Sequence, residues 1–161
     1  MTQALEFHRV NIDKQLQTCI DFRKDAWIVS YGSDTGFCEY KTIEWIKNCA
    51  AQPAVNFLHV CQGGQIIGQV EFNSNITTST SEKAGYIYLL YLIPEKRGLG
   101  LGQIIHDYIL AQFMNNHCVG AMLRYISGNL RAEQFYLKNN WYKATELTDD
   151  NAQLMRIDLN I

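Results

Sequence analysis

The chain has 161 residues, enough for one domain with its own core, and with 47% hydrophobic and 19% charged residues it is not a disordered chain. A net charge of −2 gives no basic footprint, so nucleic acid is not an expected partner. The opening MTQALEFHRV has no signal-peptide pattern, and the longest apolar run, at 86–93, is too short to span a bilayer, so no membrane association is expected and the cytoplasm is the expected location. Five cysteines, Cys19, Cys38, Cys49, Cys61 and Cys118, are odd in number and none forms a C-x-x-C pair. That usage predicts reduced thiols rather than a disulfide framework or a zinc site, and the scattered histidines suggest no metal ligation.

In chain order, LEFHRVNI (5–12) alternates as a first strand. Asp13 can cap a helix through 14–30, where Leu16, Ile20, Arg23 or Lys24, and Trp27 recur at helical spacing. YGSDTGF (31–37) ends it, and 42–49 reads as a second helix that stops before Pro53. The period then shortens. VNFLHVCQ (55–62) and QIIGQVEF (65–72) flank Gly63-Gly64, a hairpin signal. The polar stretch 73–85 reads as a long connection. YIYLLYLI (86–93) is apolar on both faces, as in a buried strand, and alternation puts Tyr86, Tyr88 and Leu90 on one of them. A helix follows from Gly100, its stripe formed by Leu101, Ile104, Ile105, Tyr108 and Ile109. GAMLRYIS (120–127) reads as a strand, 130–138 as a helix, and WYKATEL (141–147) and AQLMRIDL (152–159) as closing strands. No repeat or linker interrupts the order. The expectation is one α/β domain over 1–161, a mixed sheet flanked by helices.

PEKRGLGLG (94–102) lies between the buried strand and the amphipathic helix. A P-loop would need a Lys-Ser/Thr pair that is absent. A dinucleotide fingerprint would need glycine where Gln103 stands, and an acid within 115–125, where none occurs. R-x-x-G-x-G fits, from Arg97 to Gly102. At such a turn successive free N–H groups converge, the helix start adds partial positive charge, and glycine leaves the approach open. The pattern therefore suits a pyrophosphate; a plain tight turn that binds nothing is the alternative.

LIPEKRGLGLGQIIHDYIL (92–110) resembles the acyl-CoA-binding motif of the GNAT superfamily of N-acetyltransferases, V-x-P-x-x-R-G-x-G-I-G. NLRAEQFYLKNNWYKA (129–144) is similar to the family's N-x-x-A-x-x-x-Y-x-x-x-G-F through Asn129, Ala132, Tyr136 and Trp141, with Asn140-Trp141 replacing Gly-Phe. The likeness covers the element order from about residue 55 to the end, and the first 54 residues more loosely. It implies a GNAT-like α/β (α+β) domain with a mixed, mostly antiparallel central sheet, whose strands at 86–93 and 121–127 splay into a coenzyme A cleft. It also implies acetyl-CoA as cosubstrate and no metal. The pyrophosphate would rest on the amides of Arg97, Gly98, Leu99, Gly100, Leu101 and Gly102. The pantetheine arm would run along 90–93, with Leu92 and Ile93 among its contacts, and Asn129 and Tyr136 would complete the site. For the Arg97 side chain, a phosphate contact and a solvated surface pair are both open.

Amide formation needs a neutral amine. For a lysine-like amine of pKa about 10.4 that is about 4.6 kcal/mol to be met at neutral pH. The leaving thiolate needs a proton, and the resemblance assigns that role to Tyr136. The family's strand glutamate has no counterpart at 84–88, which reads AGYIY. Glu71 across the sheet, or Tyr86 or Tyr88 through a water, are the candidate bases, with plainer readings as a solvated strand face for Glu71 and as aromatic core or surface for the tyrosines. Acceptor choice is expected in the first two helices and 31–40, with the polar loop 73–85. Tyr31, Phe37, Tyr40 and Trp45 offer apolar walls, and Asp34 and Glu39 attraction for a cationic amine. The expected activity is direct transfer of acetyl from acetyl-CoA to a primary amine of a small molecule or peptide, with no cysteine nucleophile. A non-catalytic acyl-CoA sensor or interaction module is the alternative, and a homodimer is left open.

Overall fold

The β-prone runs at the middle of the chain pair as a meander in the computed structural model, which describes residues 3–145 and 150–159. The elements are β1 (Leu5–Arg9), α1 (Ile12–Tyr31), α2 (Glu39–Ala51), β2 (Val55–Gln62), β3 (Gln65–Thr77), β4 (Lys83–Leu92), α3 (Leu101–Asn115), β5 (Gly120–Ile126), α4 (Leu130–Lys138), β6 (Tyr142–Lys143) and β7 (Ala152–Asp158). The sheet order is β1-β2-β3-β4-β5-β7-β6. Every neighbouring pair is antiparallel except β4 with β5, so the expected mixed sheet flanked by helices is what the chain forms.

Alternation along the strands feeds two cores. On one face Val70, Phe72 and Ile87 bury against Ile105, Ile109 and Phe113 of α3. On the other, Val55 and Phe57 bury against Cys19, Ile20, Ile46 and Cys49 of α1 and α2. Each buried Ile or Phe contributes about 1.5–3 kcal/mol. Among the described residues no helix is long and apolar enough to cross a membrane.

Local chemistry shifts several boundaries. Asn11, not Asp13, caps α1: its side chain accepts the Lys14 N–H at 3.3 Å, and Gln15 reaches back to the Asn11 N–H at 2.8 Å. The stretch 73–85 is mostly strand. β3 and β4 stay paired out to Thr77 and Lys83, leaving a turn in which Glu82 N–H donates to the Thr78 hydroxyl at 3.1 Å. Polar composition hid these strand ends, where Asn75, Thr77 and Lys83 face water and only Ser74, Ala84 and Gly85 are buried. Of WYKATEL, Trp141 is buried ahead of the strand, only Tyr142–Lys143 pairs, and 146–147 lie outside the described residues.

The shared face read for Tyr86, Tyr88 and Leu90 is corrected by a bulge. Glu71 pairs with Leu89 but Phe72 with Ile87, so Tyr88 is an extra residue. Tyr88 meets the Trp45 ring of α2 edge-on at 5.2 Å, with Tyr86 beside it at 5.0 Å. Leu90 turns instead to the α3 core.

After α4 the chain turns through Asn140, whose φ of +71° is left-handed, into Trp141. The Trp141 indole N–H donates to His106 Nε2 at 2.9 Å. Asparagine tolerates this conformation better than other non-glycine residues. Asn140→Gly is expected to hold or raise the melting temperature, whereas Asn140→Val should cost about 1–2 kcal/mol in thermal or urea unfolding.

Candidate active site

β4 and β5 are hydrogen-bonded only from Ala84–Ile87 to Gly120–Leu123. Beyond that they diverge, and a cleft of about 550 Å³ opens between them, walled also by α1, the glycine loop and α4. The Ile93 N–H donates to the Ile67 carbonyl at 2.9 Å, on the β3 side. By antiparallel alternation, the main-chain polar groups of Leu90 and Leu92 therefore face the cleft. Leu92 lines the cleft as expected. Ile93 does not: its amide is turned away, which corrects its place among the cofactor contacts.

The glycine loop is built by backbone constraint. Gly98 and Gly100 have φ of +74° and +83°, where a side chain would be strained. Gly100 caps α3 without any side-chain hydrogen bond, and no acid occupies the first turn. Among the described residues, the main-chain N–H groups of 98–103 find no protein acceptor. Gly102 differs, because it is helical and a Cβ there would lie 3.9 Å from Leu92 and Phe135, an ordinary contact. Leu99 is 65% exposed and Leu101 is buried, so these two would meet a ligand through their amides.

Among the described residues the charged side chains lining the cleft are Arg97, Arg124, Arg131 and Lys138, and no carboxylate lines it. Arg131 and Lys138 make no ion pair among the described residues. The sequence reading missed both; their seven-residue spacing on one helix face was the available signal. Arg97 is neither free for phosphate nor a solvated pair. Its Nη2 is 2.7 Å from Asp25 Oδ2, its Nε donates to the Leu92 carbonyl at 2.8 Å, and it lies over the Tyr91 ring. Asp25 also accepts the Tyr91 hydroxyl at 2.6 Å, so a half-buried clasp ties the loop to α1.

Asn129 caps α4 by accepting the Ala132 N–H at 3.2 Å and also lines the cleft. One face of α4 brings Tyr136 to the cleft, its ring packed against His106, Phe135 and Trp141. Its hydroxyl has no protein hydrogen-bond partner among the described residues. Burial pushes the phenol well above its ordinary range, so it holds its proton at neutral pH.

Glu71 is not on a solvated strand face. It is fully buried, and its carboxylate is bound by Arg23 Nε and Nη2, Trp45 Nε1 at 2.6 Å and Gln69 Nε2 at 2.9 Å. With four nitrogen donors committed to it, and the Cys49 thiol at 4.0 Å, it presents no free lone pair to either cavity, which corrects its candidacy as base. Tyr86 lines neither cavity and accepts from Arg124 Nη1 at 3.1 Å; Tyr88 lines both. Because Gln69 donates to Glu71, its oxygen accepts from His59 Nε2 at 3.0 Å. Cys19 Sγ lies 3.6 Å from that nitrogen, a cysteine–histidine pair invisible in the sequence. Burial and then Glu71 push the Cys19 and Cys49 thiols up to about 12, so neither is an activated nucleophile.

A second cavity of about 520 Å³ lies between α1, α2 and β4. It shares Ala26, Ser30, Tyr88 and Leu89 with the cleft, so the two spaces meet there. Tyr31, Phe37 and Trp45 line it as expected. Tyr40 is 70% exposed and stands outside; Asp34 and Glu39 do not line it either, nor does the turn between β3 and β4.

Two outcomes follow from this geometry. Gly102→Ala should keep or raise the melting temperature, since alanine is the better helix former, yet weaken coenzyme A binding about tenfold or more by calorimetry. His59 is pushed down by burial, so at acidic pH the unfolded chain binds a proton that the fold excludes. Stability should therefore be full above the ordinary imidazole pKa of about 6.5 and fall as pH drops below it. His59→Gln should shrink the difference between urea unfolding at about pH 7.5 and about pH 5.5.

Residues 17–141 match the model of the acetyltransferase (GNAT) family. Among curated proteins there is no significant match. The PaiA N-acetyltransferase from Thermoplasma acidophilum, solved in complex with coenzyme A, is similar with a TM-score of 0.70 at 19% identity, over 97% of this chain and 99% of that one. The acetyltransferase from Thermus thermophilus is similar with a TM-score of 0.79 at 12% identity, over 99% and 100%. The ribosomal-protein-alanine N-acetyltransferase from Brucella melitensis is similar with a TM-score of 0.72 at 12% identity, over 96% and 99%. Such identities speak for the fold alone; the family match spans most of the chain, and the chain belongs to the GNAT family of acetyltransferases.

Proposed function

We propose that the protein moves an acetyl group from acetyl-CoA to a primary amine of a small molecule or peptide, by direct attack. The observation that carries the reading is the run of main-chain N–H groups at 98–103 without an acceptor among the described residues, set at the head of α3 in a cleft whose described charged lining is cationic. Amides at a helix start suit a pyrophosphate, and Arg131 and Lys138 suit a further phosphate. The main-chain edge at Leu90 and the Leu92 N–H, with the Leu92 carbonyl already taken by Arg97, suits an amide-bearing arm laid down as an added strand. Two similar structures are N-acetyltransferases by name, one of them acting on a ribosomal-protein alanine, which supports an amino group as acceptor.

Acetyl-CoA, when bound, supplies an activated thioester carbonyl. The chain's own part is to hold the donor, admit the amine and manage protons. The amine nitrogen bonds to the acetyl carbon as the carbon–sulfur bond breaks. Tyr136, protonated and unpartnered, gives its proton to the sulfur and regains one from the amine through solvent. With Glu71 committed to four donors, the amine enters as its neutral fraction or loses a proton to water at Tyr88. The buried thiols keep their protons, which favours direct attack over an acyl-enzyme. The reading calls on no metal, and a reducing cytoplasm suits the free cysteines.

Incubation with acetyl-CoA and a panel of amines, followed by thiol release and mass spectrometry, should give acetylated amine. Tight coenzyme A binding with no turnover on any amine would instead indicate a sensor. Tyr136→Phe should lower kcat about a hundredfold with acetyl-CoA affinity nearly intact; an unchanged kcat would remove its role.

A further inference from the structure

The second cavity has a chemistry of its own. Its walls are rings held in place by other rings: Trp27 packs on Tyr31 with centroids 4.3 Å apart and meets Phe37 edge-on, and Trp45 meets Tyr88 at 5.2 Å. The charged side chains that line it are Arg23 and Lys41, both cations. Arg23 gives Nε and Nη2 to Glu71 and lies 5.5 Å from the centre of the Trp45 ring, which leaves Nη1 without a protein partner among the described residues. Lys41 has no carboxylate within ion-pair distance among the described residues. Three nearby acids are engaged, Glu71 by Arg23, Trp45 and Gln69, Asp25 by Arg97 and Tyr91, and Asp34 by Lys24 at 4.0 Å, while Glu39 and Glu44 stand outside the cavity lining. The cavity therefore offers flat apolar surface and positive charge, with no anionic group among the described residues that line it.

Resting on the amine-acetylating reading above, we propose that the acceptor is an amine that also carries a carboxylate beside a planar apolar body, as an aromatic amino acid does. Lys41 and the free Nη1 of Arg23 hold the carboxylate, and Trp27, Phe37 and Trp45 flank the planar group. The amine then faces the junction at Tyr88 and Leu89, where the cavity meets the cleft. A polyamine or a basic peptide brings surplus positive charge into a cation-lined space and is disfavoured. This inverts the preference for a cationic acceptor that Asp34 and Glu39 suggested in the sequence.

The test pairs each acid with its decarboxylated counterpart: L-phenylalanine with phenethylamine, L-tryptophan with tryptamine, and spermidine as the polycation. Binding to protein saturated with coenzyme A is measured by calorimetry, and turnover with acetyl-CoA by thiol release. At least one amino acid should bind about tenfold tighter than its decarboxylated partner, spermidine should bind weakest, and Lys41→Glu should reverse the order within the pair. Lys41 is exposed, so the variant should fold, and a melting curve checks that it does. Equal or tighter binding of the decarboxylated amines or spermidine, no binding by any probe, or an order unmoved by Lys41→Glu overturns the proposal. Binding in the expected order without thiol release would sink amine transfer and leave the acceptor chemistry standing. Turnover led by phenethylamine or tryptamine would do the reverse.

Discussion

The parting of β4 from β5 after Ile87 and Leu123 is the constraint from which the site follows. Each strand is secured on its other side, β4 by β3 out to Leu92 and β5 by β7 out to Ile126, so neither can swing across to close the gap. The bulge at Tyr88 bends β4 at the point of separation. What remains is a length of sheet edge inside the molecule. Exposed edges invite unwanted pairing with other chains. Here α1 and α4 wall the gap, leaving room for a slender extended ligand rather than another strand.

Glu71 holds the opposite side of the sheet together. A buried carboxylate is costly unless every lone pair is met, and here Arg23 of α1, Trp45 of α2 and Gln69 of β3 meet them. One group thus fixes the spacing of both helices over the strand and orients two walls of the second cavity. Removing one partner of such a cluster typically costs about 3–5 kcal/mol. Its place in the fold is accordingly that of an anchor, with no lone pair left over for acid–base work.

Much of this was legible in the residues. R-x-x-G-x-G between an apolar run and an amphipathic stripe located the loop, because positive φ there demands glycine, and α4 was read over 130–138, with Asn129, Ala132 and Tyr136 singled out by the family resemblance. Asn140, which stands where the family motif has glycine, takes the left-handed conformation that such a glycine would. What was hidden depends on contacts far apart in the chain. Strand alternation gives Glu71 a face but not what covers it, and Asp25 is 72 residues from the arginine it binds. A single bulge was enough to send Leu90 to the face opposite Tyr88, since the side-chain period of a strand is two. The polar ends of β3 and β4 escaped notice because a hydrogen-bonded ladder does not require apolar side chains.

The meeting of two separately walled chambers at Tyr88 and Leu89 has a practical corollary. A single molecule threaded through that junction would fill both at once, one half beside the glycine loop and the other among the indole rings. Once either half docked, the tether would present the other at an effective concentration set only by linker length, multiplying two modest affinities without any new contact. The architecture thus lends itself to conjugate inhibitors, and the linker length they tolerate would serve as a ruler for the passage.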